Sequence, residues 1–365
     1  MLNRMQSSHR VETTYCGSML IVLAEIAVLA LVPTPAHAQV YADSQSDFSG
    51  VQGQGGWYYG FYDGIPANVA YTPADFELLD AYGPLWFPST GWTHSPIGSS
   101  WITLVSWGQH PEGTAAGRLE RVEWAVRRWI SPISGPIWID LVAVGANPTC
   151  INGNGAICRL TIDGTLAWSQ LVTQQDTTGF SAHIERCISA GSILDFVVTP
   201  NGSNEACDSM RFTATIRGPI AAQPSSTSAC NSGVAAFTVS PVDSGPFTYQ
   251  WRFDATPIDS IANPSAATAT LLLNDVSAAE MGSYDCVVSN TCGSVTSDPS
   301  TLTVFSGGTG DGDVSGSTDG LDIQGLVNAL TNGGAPSAAY CAYDMNADGV
   351  VDEADLPLLV ALLLI

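Results

Sequence analysis

The chain has 365 residues, of which 12% are charged and 45% hydrophobic, and it contains 36 Gly and 21 Pro. This length predicts two or three domains, and this composition excludes a coiled coil or a charge-rich disordered chain and favours turn-rich β structure. The net charge of −23, from 34 acids and 11 bases, excludes nucleic acid and anionic lipid as partners, because both repel an acidic surface.

Residues 1–38 predict a secretory signal peptide. Arg4 and Arg10 precede an apolar stretch that ends at Val32, and a small-residue cleavage site follows, with Ala38 as its last residue. A membrane anchor is the alternative, but the apolar stretch contains Glu25 and is shorter than the roughly 20 residues that span a bilayer. We therefore expect a secreted protein, extracellular or on the cell surface, with no membrane span after signal cleavage.

The cysteine pattern predicts disulfides. Eight of the nine cysteines follow the signal peptide, and an even number in an exported chain favours pairing. Short spacing favours two bridges, Cys150–Cys158 and Cys187–Cys207. The spacing leaves the pairing of the other four open: Cys230, Cys286, Cys292 and Cys341.

Two stretches rich in Gly, Pro and Ser, 218–224 and 306–312, predict linkers between three units. The units are residues 39–218, 219–305 and 306–365. The last unit contains nine acids and no Arg or Lys.

Residues 39–218 predict an antiparallel β-sandwich of jelly-roll type. Short strand-like runs recur without a helical period, and Asp163-Gly164 between two of them is a hairpin signal. The segments 125–135, 162–165 and 195–202 resemble a module of secreted bacterial multidomain proteins that is similar to carbohydrate-binding sandwiches. This resemblance implies a polysaccharide or a cell-surface glycan as partner.

Aromatic side chains in Gly/Pro-rich stretches are the candidate glycan contacts, because aromatic faces can stack on sugar rings. Large aromatics also dominate sandwich interiors, so the same rings are candidates for the core. The residues concerned are Trp57, Tyr58, Tyr59, Tyr62, Trp86 and Trp92.

The first unit offers few candidates for catalysis, and we assign no catalytic residue. A glycosidase needs two carboxylates about 5 to 9.5 Å apart, which sequence spacing cannot show. The motifs HExxH and GxSxG are absent from the sequence. The histidines and nearby acids are His94, His110, His183, Glu112, Glu120, Glu123 and Glu185.

Residues 219–305 contain stretches in which apolar and polar residues alternate, as in strands with one buried face. The string from Met281 to Cys286, which follows Trp251, resembles the end of an immunoglobulin-like domain. In that family the Trp packs in the core and a Tyr, here Tyr284, closes a corner two residues before a Cys. We expect a spacer domain.

The usual inter-sheet bridge of the family is missing, because Val239 occupies the position of the partner cysteine. Cys286 therefore pairs with Cys230 or Cys292, or stays reduced and buried.

Residues 306–365 contain two twelve-residue loops, 311–322 and 344–355, that start 33 positions apart. Each has Gly at position 6 and oxygen-bearing side chains at positions 1, 3, 5, 9 and 12, which is the EF-hand arrangement for calcium. The predicted ligands are Asp311, Asp313, Ser315, the carbonyl of Ser317, Asp319 and Asp322 in the first loop, and Asp344, Asn346, Asp348, the carbonyl of Val350, Asp352 and Asp355 in the second. Because Asp348 replaces Ser315, we expect the second of the two calcium sites to be stronger.

An apolar stripe with helical spacing follows each loop, and the two stripes should pack together. They are Ile323, Leu326, Val327 and Leu330, and Leu356, Leu359, Val360 and Leu363. Paired calcium loops with only an exiting helix resemble a dockerin type I domain. The resemblance implies a calcium-folded docking module, which in its best-known setting tethers secreted polysaccharide-degrading enzymes to a cohesin-bearing scaffold protein.

At positions 10 and 11 of the loops, where partner-reading residues of the family lie, this chain has Gly320-Leu321 and Glu353-Ala354 instead of the common Ser-Thr pair. This departure leaves cohesin binding open. The sequence thus predicts a mostly β, multidomain protein with a small helical dockerin/EF-hand-like module. We favour a non-catalytic glycan binder that docks through calcium, and the alternative is an O-glycosyl hydrolase of extracellular polysaccharide degradation with its active site in residues 39–218.

Overall fold

The computed structural model describes residues 39–364 except 64–70, 86, 97–100, 113–121, 148, 150–152, 203–207 and 243–244. The predicted signal peptide lies outside the described residues, and so do Trp86, Glu120, Cys150 and Cys207.

The described part of residues 39–218 contains fourteen strands: β1 (Val40–Asp43), β2 (Trp57–Asp63), β3 (Phe76–Leu78), β4 (Ala81–Pro84), β5 (Thr90–Thr93), β6 (Thr103–Val105), β7 (Gly108–His110), β8 (Glu123–Ile130), β9 (Gly135–Gly145), β10 (Ala156–Ile162), β11 (Thr165–Val172), β12 (Phe180–Ile188), β13 (Ile193–Pro200) and β14 (Met210–Arg217). They form two antiparallel sheets, ordered β12-β9-β14-β7-β6-β5-β4 with β1 on β14, and β11-β10-β13-β8-β2-β3.

The strand pairs are nested around one hairpin. Strand β10 pairs with β11, β9 with β12, β8 with β13 and β7 with β14, and successive pairs alternate between the two sheets. A long hairpin wrapped in this way is a jelly roll, so the predicted jelly-roll sandwich is confirmed. The hairpin turn is the predicted Asp163-Gly164 pair, whose φ values of 49° and 79° are typical of a two-residue primed turn.

Residues 219–305 form an immunoglobulin-like sandwich, as predicted. Its strands are β15 (Ile220–Ala222), β16 (Thr227–Cys230), β17 (Ala235–Thr238), β18 (Ser240–Pro241), β19 (Thr248–Phe253), β20 (Thr256–Pro257), β21 (Thr270–Leu273), β22 (Gly282–Asn290), β23 (Gly293–Thr296) and β24 (Ser300–Phe305). One sheet has the order β16-β24-β22-β19-β20 with β23 on β22, and β17 pairs with β21. Trp251 is buried, and the Tyr284 hydroxyl donates to the Glu280 carbonyl at 2.7 Å, which is the predicted tyrosine corner.

Residues 306–364 contain three helices, α1 (Asp322–Asn332), α2 (Ala338–Cys341) and α3 (Leu356–Leu363), and α1 and α3 follow the two loops as predicted. The predicted packing of the two apolar stripes against each other holds for half of their residues. Leu326 and Leu359 are buried, and Leu330 and Leu363 pack against the same core. The other four side chains of the stripes stay 42–47% exposed: Ile323, Val327, Leu356 and Val360. Tyr343 and Val351 occupy much of this small core in their place.

The two disulfides among the described residues connect modules and do not close short loops. Cys187 bonds Cys292, and Cys230 bonds Cys341. The predicted Cys187–Cys207 bridge is therefore wrong. The predicted Cys150–Cys158 bridge is wrong as well, since Cys158 is reduced and buried in the sandwich core.

The first cross-link joins edge strand β12 to the β22–β23 hairpin, and the second joins β16 to helix α2. Cys286 is reduced and buried, which was one of the outcomes that the sequence left open. Residues 218–224 are also more than a linker, because β15 pairs with β18 and Ile220 is fully buried. No helix in the described ranges is long and apolar enough to cross a membrane.

Candidate calcium centre

The two loops follow the same backbone path. Position 4 has a positive φ in both, 58° at Val314 and 59° at Ala347, and position 6 has φ of 90° at Gly316 and 86° at Gly349. A φ near 90° carries no steric penalty for glycine but is strained for a residue with a side chain. The glycine at position 6 therefore permits the tight turn that wraps each loop around its centre.

The first carboxylate of each loop anchors this turn. Asp311 accepts from the amides of Ser315 at 2.9 Å and Gly316 at 2.8 Å. Asp344 accepts from the equivalent amides, those of Asp348 at 3.1 Å and Gly349 at 2.9 Å. The aspartate at position 1 is thus held in the same orientation in both loops.

The last carboxylate closes the loop from the other side. Asp322 accepts from the amides of Gly312 at 2.9 Å and Asp319 at 2.9 Å, and Asp355 repeats this pattern with Met345 at 2.7 Å and Asp352 at 2.9 Å. Amides at positions 2 and 9 therefore hold the carboxylate at position 12, which is also the first residue of α1 or the residue before α3.

Carboxylate oxygens converge inside the first loop. One oxygen each from Asp311, Asp313 and Asp322 lie within 4.8 Å of one another. In the second loop burial raises the pKa of Asp344, and the carboxylates of Asp355 and Asp348 raise it further, whereas amides of the loop lower it. Asp322, Asp344 and Asp355 are buried although residues 306–365 contain no Arg or Lys. Buried like charges require a compensating cation, and a donor set made only of oxygens fits calcium.

Position 5 distinguishes the two loops. In the first, the Ser315 hydroxyl donates to the Ser317 carbonyl at 3.2 Å, which is the predicted backbone ligand at position 7. In the second loop, position 5 is Asp348, whose carboxylate accepts from the side-chain amide of Asn346 at 2.8 Å. The second loop therefore has a carboxylate at position 5, but Asn346 replaces Asp313 at position 3, so each set of predicted ligands contains four carboxylates.

The remaining predicted ligands lie at the loop surface. At position 3, Asp313 and Asn346 each accept at 3.0 Å from the amide two residues ahead. At position 9, Asp319 and Asp352 do the same, at 2.8 and 2.7 Å. Val350 has an exposed side chain and was predicted to contribute its carbonyl.

Tyr343 packs beside the first loop and belongs to the core of this module, which the sequence did not predict. It is buried against α1, and a Cβ at Gly312 or Gly325 would overlap its ring. The repeat itself held a signal, because Gly325 in the first helix corresponds to Leu358 in the second, 33 positions later. The missing side chain at Gly325 makes room for Tyr343 beside the first loop.

The proposed glycan-binding rings are mostly core residues. Trp57, Tyr59, Tyr62 and Trp92 are buried, and Tyr59 stacks on Trp92 with ring centres 5.8 Å apart. Tyr58 is half-buried. Four of the six rings therefore form no exposed sugar-stacking face.

The candidate catalytic residues in the described part of the chain do not form one cluster. Glu112 and Glu123 pair through their backbones at 2.9 and 2.8 Å, both side chains are fully buried, and His94 Nε2 lies 2.9 Å from Glu123 Oε2. His183 and Glu185 lie exposed on β12, in the other sheet from Glu123. His110 is buried and its ring lies 6.1 Å from that of Trp101.

Comparison with known protein families identifies the last module. Residues 309–364 match the model of the dockerin type I domain. No curated protein matches the chain. The dockerin type I resemblance is therefore confirmed for these residues.

Among solved structures, the chain is similar to titin domain M4, with 22% identity over 23% of this chain and 92% of that chain and a TM-score of 0.20. It is also similar to titin domain M7, with 24% identity over 23% and 90% and a TM-score of 0.21. The tandem Ig repeats of Dlar show 16% identity over 50% and 98% and a TM-score of 0.23. Such low TM-scores support no conclusion, so the immunoglobulin-like assignment rests on strand pairing, Trp251 and the tyrosine corner. The chain is a modular, mostly β protein that carries a dockerin type I domain at residues 309–364.

Proposed function

We propose that this chain is a secreted, non-catalytic modular protein that docks onto a cohesin-type scaffold protein through two calcium-loaded loops. The observation that carries the proposal is the duplicated hydrogen-bond frame around the first and last aspartates of both loops. Because the frame orients acidic side chains inward with no base in the module, calcium is the partner that completes it.

The surface for the protein partner lies on the two repeated helices. Ile323 and Val327 on α1 are exposed, and so are Leu356 and Val360 at the equivalent positions on α3. Such paired apolar side chains suit a protein interface better than solvent. Leu321, at position 11 of the first loop, is also exposed and extends the apolar character of this surface.

The calcium sites give the first test. Replacing Asp344 with Ala removes the carboxylate that anchors the second loop, and the equivalent change in the first loop is Asp311→Ala. We expect both changes to weaken calcium binding, and Asp344→Ala to weaken it more, because Asp344 is fully buried at the centre of its turn whereas Asp311 is only partly buried.

Isothermal titration of the mature chain with calcium measures both sites. Glu353→Ala is the matched control, because it removes one acid at an exposed position that is not a predicted ligand. If Glu353→Ala lowers the calcium affinity as much as Asp344→Ala, binding depends on the overall negative charge of the loop and not on the predicted ligands.

Polysaccharide or cell-surface glycan binding by the first module is the second part of the proposal, and the resemblance of residues 39–218 supports it. A specific observation favours the hydrolase alternative, namely that Glu112, Glu123 and His94 lie together. The burial of both glutamates argues against it, since a substrate must reach a catalytic carboxylate.

Affinity gels of immobilised polysaccharides distinguish these functions. We expect the mature chain to be retained without release of reducing sugar, and Glu123→Gln to leave retention unchanged. Sustained release of reducing sugar that Glu123→Gln abolishes would instead establish the hydrolase.

A further inference from the structure

The second calcium loop lies directly against the immunoglobulin-like module. Gly349, at position 6 of this loop, packs on Gly233 in the turn between β16 and β17, and a Cβ at Gly349 would overlap the Gly233 backbone. Conversely, a Cβ at Gly233 would lie 3.0 Å from the Gly349 carbonyl oxygen. Two glycines thus allow the backbones of the two modules to touch.

The first loop provides an internal comparison. Gly316 occupies the same position 6 with nearly the same φ, yet a Cβ there would meet nothing within 4 Å. The contact at Gly349 is therefore specific to the second loop and is not a general consequence of the loop conformation.

Other contacts surround the same junction. The Cys230–Cys341 disulfide joins the same two modules, and the Ser228 hydroxyl donates to the Pro336 carbonyl at 2.7 Å. The chain that leaves the immunoglobulin-like module runs beside the start of the second loop, since a Cβ at Gly307 would lie 2.8 Å from the Asp344 carbonyl oxygen.

The junction is connected to the ion-binding carboxylates on one side and to the immunoglobulin-like core on the other. The Gly349 amide donates to Asp344 at 2.9 Å, so the position of Gly349 depends on the anchored carboxylate. Across the contact, the Gly233 carbonyl accepts from the Val276 amide at 3.0 Å, and the Ser232 amide donates to the Val276 carbonyl at 2.7 Å.

We propose that the second calcium loop is the binding surface for the chain's own immunoglobulin-like module, so that calcium in this loop fixes the orientation of the docking helices relative to the rest of the protein. The inference rests on the proposed calcium binding. Without the ion, the acidic side chains of the loop repel one another, the turn at Gly349 opens and the contact with Gly233 is lost. The first loop, which has no such contact, carries calcium without this effect.

Hydrogen exchange of the full mature chain, with and without calcium, tests the proposal. We expect calcium to slow exchange about tenfold at the amides of Ser232, Gly233 and Val276, since an interface that closes protects the turn it covers. Asp344→Asn should abolish this protection, and the matched Asp311→Asn should preserve it. A Cys230→Ser, Cys341→Ser variant should show the same response, because calcium then holds the junction without the covalent tether.

Calcium titration of the same samples separates the two hypotheses. If two ions bind but exchange at these amides does not change, the proposal is overturned and calcium-dependent docking stands. If Asp311→Asn removes the protection as fully as Asp344→Asn, the coupling to the second loop is wrong. If no calcium binds, both this inference and the proposed function fail.

Discussion

Replacing Asp195 with Ala should lower the free energy of unfolding of the jelly-roll module by about 3–5 kcal/mol, because it leaves Arg128 buried without its counter-charge. Asp195 on β13 lies opposite Arg128 on β8. The guanidinium donates to it twice, through Nε at 2.7 Å and Nη2 at 2.9 Å. The Tyr62 hydroxyl adds a third donor at 2.6 Å, and burial raises the pKa of this phenol, with Asp195 contributing, so that it stays protonated.

Asp140→Ala is the control within the same module. Asp140 pairs with Arg217 at 3.0 Å and with His183 at 2.6 Å, but it lies on the exposed face of β9. Pairs in that setting contribute about 0–1 kcal/mol because solvent screens them. Denaturant unfolding of both variants measures the difference, and an equal loss for Asp140→Ala would show that burial is not what makes the Arg128–Asp195 pair important.

Features that depend on neighbours in sequence were predictable. The calcium loops need glycine at one position and oxygens at fixed intervals, and a hairpin turn needs two residues that accept positive φ, so both leave a local pattern. The pattern at Asp163-Gly164 even located the centre of the jelly roll, around which the other strand pairs are nested. Trp251 and Tyr284 were predictable for the same reason, because each has a fixed place in an immunoglobulin-like domain.

Features that depend on distant contacts were not predictable. Cys187 and Cys292 are 105 positions apart, nothing in the sequence signals that they meet, and spacing favoured a nearer partner for Cys187. The burial of Trp57 and Trp92 follows from packing between two sheets, and the sequence left both a core position and an exposed position open for these rings. The Gly233–Gly349 contact joins two modules and could not be read from either repeat alone.

Calcium removal should unfold the docking module while both sandwiches remain folded. Its nine acids have no base within the module, and helices of 11 and 8 residues are too short to be stable alone in water. Binding to the folded state alone stabilises by about 4 kcal/mol per site when free calcium is about 1,000-fold above the dissociation constant. In chelator we therefore expect the mature chain to lose its helical circular dichroism and become protease-sensitive between residues 311 and 364.

The Cys230–Cys341 disulfide makes the outcome distinctive. Chelated chain cut within α1 should keep the fragment that contains Cys341 attached on a non-reducing gel and release it on reduction, because Cys230 and Cys341 lie on opposite sides of the cut. Calcium should restore helix and protease resistance, whereas magnesium in excess should not, since it demands a smaller octahedral oxygen shell than these loops provide. A circular dichroism spectrum that is the same in calcium and in chelator would contradict the calcium-dependent fold, and cleavage confined to residues 219–305 would place the sensitivity in the wrong module.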